Sequence, residues 1–495
     1  MRPTRSALAA VLLALACSDR TAPQSSDGAD AAGGVEAARG TAPDGAPNIV
    51  LVSLDTLRAD HVSAYGYPRQ TTPALDALAD RGVLFEAAYS HSPKTAVSHM
   101  SLFTGLHPDA HGVGQLARSG SRRLPDAIPT LASLLRAHGY RTAGVAEGGN
   151  VRGELGFDQG MDLYERSDDA ASGFARAAEL AESLSAREPR RPFFLFVHTY
   201  EAHDPYVPPA PYDALFADPD YDGAIVSSLE ELLAISGEKW RSQHRAYWGR
   251  VEKSNPVDVQ HLRDLYDGAI RRADDALGAF AARLEALGLM DETALVVTSD
   301  HGEEFLEHGS FLHEQGFQEH LHVPLVMTFP GERGEATRGR RESVVVRLVD
   351  VAPTLLDVAG VPVPAGLDGV SLLPLLEGGS GPPAVVVSRW PQGGLTVLRS
   401  RSWKLIQVRR RGGASTQLFD LSRDPEERRN LASERPDMLA ALEAELARVS
   451  AAAHAFRDGI AEGSAVRLDA RAIEELRALG YLQDESAATG EGAAP

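Results

Sequence analysis

Cysteine is almost absent from this sequence of 495 residues, which contains only Cys17. No disulfide can therefore form within the chain. The sequence also has no block of basic residues. Its 49 Lys and Arg are outnumbered by 69 Asp and Glu, which gives a net charge of -20. Since nucleic-acid phosphates are bound by clustered Lys and Arg, this charge pattern argues against a nucleic-acid partner. The composition, 43% hydrophobic and 24% charged, is that of a globular protein with one large domain and a smaller one.

The longest apolar run, residues 7–16, follows two arginines and is too short to span a bilayer as a mature helix. Residues 1–16 are therefore predicted to be a signal peptide. Small Ala16 directly before Cys17 resembles a bacterial lipoprotein signal, which predicts cleavage there and lipidation of Cys17. The alternative is an ordinary cleaved signal with an unrelated cysteine. Either way we expect an exported protein, and in the first case a cell-envelope lipoprotein held at the membrane by its lipid.

The chain after the signal divides into a tether and two folded parts. Residues 17–46 are mostly Ala, Gly, Ser, Asp and Pro, which predicts a disordered tether. From residue 47 to 378, amphipathic helical segments such as 258–287 alternate with apolar runs. This alternation predicts an α/β main domain with a doubly wound sheet. The runs expected to form its buried parallel strands are NIVLVSLD (48–55), GYRTAGVA (139–146), PFFLFVHT (192–199), ALVVTSDHG (294–302) and VPLVMTFP (323–330).

Short strand-like pieces lie close together after Gly378. They are AVVVSRW, LTVLRS, WKLIQVRR and TQLFDLS, and a helix is expected near 436–450. Residues 379–485 are therefore predicted to form a small α+β subdomain with an antiparallel sheet. Residues 486–495 are expected to be a frayed tail.

Polar residues end several of the predicted strands. Asp55, His198, Asp300 and His301 all follow apolar runs. Ligands of open α/β sheets bind outside the carboxyl ends of the strands, so parallel strands would bring these groups to one edge. Carboxylate and imidazole ligands suit a divalent cation of borderline hardness. A lone aspartate at such a position is more commonly a helix cap, so the pairing of Asp55 with the Asp-His dipeptide carries the metal hypothesis.

A second candidate group lies in SHSPKTAVSHMSLFTG. If AVSHMSLFT is helical, Thr95 occupies the N-cap position, where its hydroxyl either caps backbone N–H groups or acts on an anion bound at the helix N-terminus. A metal touching that hydroxyl would lower its pKa and make it a nucleophile. Lys94 and His99 could hold the oxygens of the anion. Ser98 is the alternative nucleophile, although a structural role in the first helical turn suits it better.

Taken together, these motifs resemble the sulfatase family of the alkaline phosphatase superfamily from Asn48 to about Leu482. The matching segments are NIVLVSLDTLRADHVSAYGYPRQTTPALDALADRGVLFEAAYS, SHMSLFTGLHPDAHGV, FVHTYEAHDPYVPP, TSDHGEEFLEHG, HVPLVM, VDVAPTLLDVAGVPVPAGLDGVSLLPLL and LFDLSRDPEERRNLA. The resemblance implies an alkaline-phosphatase-like main domain and a C-terminal subdomain with a four-stranded antiparallel sheet. It also implies one divalent metal ion and hydrolysis of sulfate or related esters.

The sequence departs from the family pattern at the nucleophile. The family motif C/S-x-P-S-R aligns with TAVSH, which puts Thr95 where a Cys or Ser is normally converted to formylglycine. No formylglycine is therefore expected, and the pair Asp300-His301 resembles phosphonate monoester hydrolases and nucleotide phosphodiesterases. The residues that the resemblance then implies are Asp55, Asp300, His301 and Thr95 as ligands of Ca, Mn or Zn, and Thr95, Lys94, His99, His203 and His313 as catalytic groups.

These departures leave several functions open. The leading hypothesis is a metal-dependent hydrolase of sulfate or phosphate-type esters, acting on a small-molecule, glycan or lipid ester. A phosphodiesterase or phosphonate monoester hydrolase, or a transferase of phosphoryl-type groups, is the first alternative. A non-catalytic binding lipoprotein on a degenerate scaffold is the second. The oligomeric state is left open.

Overall fold

The computed structural model describes residues 40–466, apart from 116–120, 237–239 and 411–412, together with residues 468, 473 and 476. The predicted signal peptide, Cys17 with its predicted lipidation, most of the predicted tether and the tail of residues 486–495 lie outside the described residues. Residues 40–46 are described, and Ala42 and Ala46 pack on the main core. Within the described ranges, no helix is both long enough and apolar enough to cross a membrane.

An eight-stranded sheet forms the centre of the main domain, with the strand order β12-β2-β11-β7-β1-β6-β4-β5. Four further strands, paired in the C-terminal region, form a separate sheet in the order β14-β15-β16-β17. The strands are β1 (Asn48–Leu54), β2 (Val83–Phe85), β3 (Ala88–Tyr89), β4 (Arg141–Ala146), β5 (Leu163–Arg166), β6 (Phe193–Thr199), β7 (Thr293–Thr298), β8 (Glu304–Phe305), β9 (Phe311–Leu312), β10 (His322–Val323), β11 (Leu325–Thr328), β12 (Arg340–Glu342), β13 (Val346–Arg347), β14 (Val386–Trp390), β15 (Leu395–Arg399), β16 (Trp403–Arg410) and β17 (Gly413–Asp420).

Helices cover both faces of the main sheet, as the doubly wound prediction requires. They are α1 (Pro73–Arg81), α2 (Thr95–Thr104), α3 (Pro108–His111), α4 (Leu131–Ala137), α5 (Ala170–Ala186), α6 (Leu229–Ser236), α7 (Trp240–Trp248), α8 (Pro256–Ala286), α9 (Gln318–Leu321), α10 (Gly331–Thr337), α11 (Val351–Val358), α12 (Leu373–Leu376) and α13 (Pro436–Arg457).

Strand β1 shows how the two faces arise from alternation along one strand. Ile49 and Leu51 belong to the core on the face covered by α2, α4 and α11. Val50 and Val52 belong to the core on the opposite face, which α1, α5 and α8 cover. Because successive side chains of a strand point to opposite faces, a continuous apolar run is what a strand buried on both sides needs. The α/β fold class is confirmed.

One strand of the main sheet runs against the prediction. The strands β4, β5, β6, β1 and β7 are parallel to their neighbours within that group. The run 323–330 was expected to add another parallel strand, but β11 is antiparallel to both β7 and β2. The sheet is therefore mixed, and the expectation of a parallel strand at 323–330 was wrong.

The C-terminal subdomain has the predicted four-stranded antiparallel sheet. One face packs against α13 through Leu442 and Leu446. The other face packs against Phe317 and Leu321, which lie in the segment between β9 and β10 of the main domain. This second contact joins the small sheet to the part of the main domain that follows Asp300 and His301.

Candidate active site

The candidate site lies at the carboxyl ends of three adjacent parallel strands. Asp55 directly follows β1, His198 is the next-to-last residue of β6, and Asp300 comes two residues after β7. The register pairs Ser53 of β1 with His198 on one side and with Thr298 on the other. Three strand ends therefore meet at one edge of the sheet, as the sequence pattern predicts.

Two buried carboxylates face each other at this edge. Asp55 and Asp300 have no exposed surface. Asp55 Oδ1 and Asp300 Oδ2 accept no hydrogen bond from any of the described residues. Burial, and then the negative charge of Asp300, raise the pKa of Asp55 well above its usual range. Because paired buried carboxylates are costly without a counter-charge, this arrangement fits a cation between them.

His301 completes a plausible ligand set. Its Nδ1–H donates to the Gly302 carbonyl over 3.0 Å, which leaves Nε2 as an acceptor. That Nε2 lies 3.3 Å from Asp300 Oδ2 and 3.3 Å from Thr95 Oγ1. Burial lowers the pKa of His301 to about 4, although the Asp300 charge opposes this, so the ring is neutral at physiological pH. The ligand atoms of Asp55, Asp300 and His301 lie within 4.8 Å of one another, as one metal ion requires.

Thr95 stands at the start of α2 but not where the sequence analysis expected it. The helix begins at Thr95 itself, and the residue with extended backbone before it is Lys94. The Thr95 hydroxyl is directed at His301 Nε2 over 3.3 Å. The prediction of Thr95 as the N-cap was wrong by one residue, because Lys94 holds that position.

Ser98 is engaged elsewhere. Its hydroxyl donates to the Asp300 carbonyl oxygen over 2.7 Å and lies 2.9 Å from the Ser90 hydroxyl. It is fully buried behind the carboxylates. Ser98 therefore braces the backbone of Asp300, which fits the structural role considered for it.

His99 and His198 form a layer behind the two carboxylates. His99 Nδ1–H donates to the Thr95 carbonyl over 2.9 Å and lies 3.4 Å from Asp300 Oδ2, while its Nε2 is 2.8 Å from the Ser53 hydroxyl. His198 Nε2 lies 3.2 Å from Asp55 Oδ2. Burial lowers the pKa of both rings, to well below the usual range for His198. Both rings orient carboxylates, and His99, with both nitrogens engaged, lies behind Thr95 rather than beside a bound anion.

Two more buried histidines, His203 and His313, lie near His301. The ring centre of His313 is 4.5 Å from that of His301 and 5.1 Å from that of His203. His313 Nδ1 lies 3.2 Å from a carboxylate oxygen of Glu303. Burial, and then the charge of Lys94, lower the pKa of His313 well below its usual range. The sequence-predicted residues His203 and His313 are thus brought together with His301.

Lys94 is the cation at this edge nearest to Thr95 in the chain. Its side chain is 8% exposed, and its ammonium lies 4.2 Å from the ring centre of Trp390 and 3.9 Å from a Glu314 oxygen. Trp390 belongs to β14, so the C-terminal subdomain contributes to the surroundings of the site. Burial lowers the pKa of Lys94, and the charge of Glu314 opposes this.

Two residues beside the predicted ligands, His198 and Glu303, were not among the predicted site residues. His198 was noted at a strand end but given no function, although its place beside Asp55 follows from the register of β1 and β6. Glu303 was not considered, although it lies two residues after His301 and is fully buried. A carboxylate so close to a candidate ligand was the available indication.

Comparison with known proteins identifies the family of the chain. The family described as Sulfatase matches residues 47–361. Human arylsulfatase K is 26% identical over 468 residues, which cover 83% of this chain and 84% of that protein. A solved structure with bound substrate D-glucosamine-2-N,6-O-disulfate has a TM-score of 0.66 at 21% identity and covers 82% of this chain and 98% of that chain. The phosphonate monoester hydrolase of Agrobacterium radiobacter has a TM-score of 0.63 at 23% identity and covers 82% and 96%.

The chain therefore belongs to the sulfatase family, and it is an ester hydrolase of the alkaline-phosphatase-like fold. Members of this family generally bind a divalent metal, and the described residues include candidate ligands for one.

Proposed function

We propose that this protein is a metal-dependent hydrolase of sulfate or phosphate-type esters that uses Thr95 in place of formylglycine. The observation that carries the proposal is the Thr95 hydroxyl, 3.3 Å from His301 Nε2 and at the helix start that faces Asp55 and Asp300. Hydroxyl, carboxylate and imidazole together form the donor set that activates a nucleophile.

Asp55, Asp300, His301 and Thr95 would hold the metal, whose identity we leave among Ca, Mn and Zn. When bound, a divalent ion supplies charge stabilisation to the ester oxygens and lowers the pKa of the Thr95 hydroxyl. His198 and His99 hold the two carboxylates from behind, and Ser98 holds the Asp300 backbone. These contacts fix the ligands before substrate arrives, which is what a precise site needs.

In the covalent step, the Thr95 oxygen forms a bond to phosphorus or sulfur while the bond to the leaving alcohol breaks. The Thr95 hydroxyl loses its proton and the departing alcohol gains one. Water then attacks the phosphorus or sulfur and breaks its bond to the Thr95 oxygen, and a proton from that water restores the hydroxyl. Lys94 would offset the charge of the anion. His313, whose Nδ1 faces Glu303, and His203 would transfer the protons at the leaving group and the attacking water.

Phosphorus esters suit this nucleophile better than sulfate esters. A formylglycine hydrate can expel sulfate by regenerating its aldehyde, but a threonine sulfate ester has no such route, because its Cβ carries no second hydroxyl. A threonine esterified to phosphorus is opened by attack of water at phosphorus. We therefore favour phosphate diesters and phosphonate monoesters as substrates. A transferase that passes the same group to an alcohol would use the identical first step.

The test compares purified, metal-supplemented protein on an aryl sulfate, an aryl phosphate monoester, an aryl phosphodiester and an aryl phosphonate monoester. Thr95→Ala should lower kcat/KM on the best of these by at least about a thousandfold. Thr104→Ala, the same change in the last turn of the same helix, should leave it nearly unchanged. Full activity of Thr95→Ala would sink the proposal.

Two further readings separate the alternatives. The peptide that contains Thr95 should have the mass expected for unmodified threonine. When the reaction is quenched during turnover, the same peptide should gain the mass of a substrate-derived group. Products formed from an added alcohol would indicate a transferase. No metal and no turnover on any ester would indicate the binding lipoprotein instead.

We also propose that the protein is exported, cleaved before Cys17 and lipidated at that residue, which would hold it at the membrane surface. The support is the small residue before Cys17 and the polar tether after it. Labelling with a radioactive fatty acid should mark the wild-type protein and not Cys17→Ala.

A further inference from the structure

The segment that follows the metal-ligand candidate His301 is held from the C-terminal subdomain. Gln318 is the first residue of the short helix α9, and its backbone N–H donates to Glu427 Oε2 over 2.7 Å. Glu427 lies in LFDLSRDPEERRNLA, a stretch for which the proposed chemistry gives no role. Phe317, just before α9, packs against Phe419 from the same stretch with ring centres 6.0 Å apart.

Glu427 is held in an unusual state. Its side chain is buried, and its backbone is left-handed with φ of 55°, a conformation that strains a non-glycine residue. Its Oε1 lies 2.7 Å from Lys404 Nζ of β16, and the two side chains are 0% and 1% exposed. A buried ion pair adds little net stability, so a positional role is the better reason for this one.

Helix α9 in turn presses on the residue after His301. Gly302 N–H donates to the His320 carbonyl over 2.8 Å. A Cβ on Gly302 would stand 2.0 Å from the Glu319 carbonyl oxygen, so only glycine allows this approach. The Gly302 carbonyl is the group that accepts from His301 Nδ1–H and so fixes which nitrogen faces Asp300. A shift of α9 would therefore move the His301 ring.

We infer that Glu427 of the C-terminal subdomain is a positioning residue for the metal ligand His301. It acts through the Gln318 N–H, helix α9 and Gly302, with Lys404 supplying the counter-charge that lets the carboxylate be buried. The inference rests on the proposed metal site. It gives the small sheet a task in assembling the catalytic edge, beyond covering the main domain.

The test uses two double variants of the full-length protein that are both free of charge at this pair. Lys404→Met with Glu427→Gln keeps a carbonyl acceptor for Gln318 N–H. Lys404→Met with Glu427→Met has nearly the same volume and lacks the acceptor. Each protein is stripped with a chelator, and the Kd for Mn2+ and the EPR spectrum of the bound ion are measured. The melting temperature in chelator reports the fold alone.

The double variant with Glu427→Met should bind Mn2+ about 10- to 100-fold more weakly than the double variant with Glu427→Gln. Its EPR spectrum should be altered, and its melting temperature in chelator should be similar. Wild-type protein that binds Mn2+, with both double variants binding equally, would overturn the inference and leave the proposed function standing. Wild-type protein that binds no Mn2+ would overturn the proposed metal site and this inference with it.

Discussion

Glu303 contacts His313, one of the proposed catalytic residues, and is placed to orient its ring. It is fully buried, and its Oε1 lies 3.2 Å from His313 Nδ1. Burial, and then the charge of Asp204, raise the pKa of Glu303, while Lys94 opposes the rise. This contact fixes the tautomer of His313. An ionised Glu303 accepts from Nδ1–H and leaves Nε2 as an acceptor that can take a proton from water, whereas a protonated Glu303 donates to Nδ1 and leaves Nε2 as a donor.

We expect Glu303→Met to lower kcat/KM about 10-fold or more, part of the 10²- to 10⁴-fold that acid-base catalysis typically contributes. The loss should come from a wrongly oriented His313, because the methionine thioether is only a weak hydrogen-bond acceptor and cannot replace the carboxyl group. Steady-state kinetics at saturating metal measures it. If Glu303 acts through His313, adding Glu303→Met to His313→Ala should cost almost nothing more, whereas additive losses would contradict the assignment.

How far the sequence could predict the site differs between residues. The meeting of Asp55 with Asp300 and His301 could be predicted, because parallel strand ends share an edge and the residues follow apolar runs. The engagement of His99 with the Ser53 hydroxyl could not, since it depends on how α2 is rotated against β1. The one-residue shift at Thr95 belongs to the same class, because helix starts are set by local backbone geometry that composition does not fix.

Among the secondary-structure elements, strand β11 differs most clearly from its prediction, because it is antiparallel to its neighbours. An apolar run alone does not distinguish parallel from antiparallel strands. Parallel neighbours need a crossover that is usually a helix, whereas the chain between β7 and β11 holds only the four-residue helix α9. Strands β7 and β11 are separated by 26 residues that contain no long amphipathic segment. This spacing indicates an antiparallel strand.

Helix α7 is fixed to the loop after β6 by one aspartate. Asp204 accepts from Trp248 Nε1–H over 2.9 Å and lies 3.0 Å from His244 Nε2. Burial would raise the pKa of Asp204, but the charge and hydrogen bond of His244 outweigh it and lower the pKa to about 2. Burial would lower the pKa of His244, but Asp204 outweighs it and raises the value.

These shifts define the pH range in which the pair is stabilising. The Asp204 contribution is complete above its unfolded pKa of 3.8 and is lost as pH falls toward 2. The His244 contribution is complete below 6.5 and is lost as pH rises through its raised folded pKa. His244→Gln should therefore cost about 1 kcal/mol of unfolding free energy at pH 5 and clearly less at pH 9. Urea denaturation at both pH values measures this.

The same change at an exposed helical position, His454→Gln in α13, serves as the control and should have little effect at either pH. A loss for His244→Gln that stays constant from pH 5 to pH 9 would show that the contact does not depend on charge.

The N-terminal segment enters the main sheet at the edge opposite to the candidate site. Gly40 N–H donates to the carbonyl of Ala137, the last residue of α4, over 3.0 Å, and the chain then enters β1 at Asn48, the amino end of that strand. The site lies at the other end, about 20 Å away for a strand of this length. A protein tethered through its N-terminal segment would thus hold the catalytic edge away from its point of attachment.

Removal of residues 1–39 should therefore leave kcat/KM on a soluble aryl ester within about twofold of the wild-type value, because every candidate site residue, from Asp55 to His313, is retained. The same deletion should move the protein from the membrane fraction to the soluble fraction, as should Cys17→Ala if lipidation is the anchor. Cell fractionation and kinetics on detergent-extracted wild type provide the comparison. A deletion that becomes soluble but loses activity toward the small ester would mean that the N-terminal segment reaches the site. In that case the separation of the two edges would not describe the working enzyme.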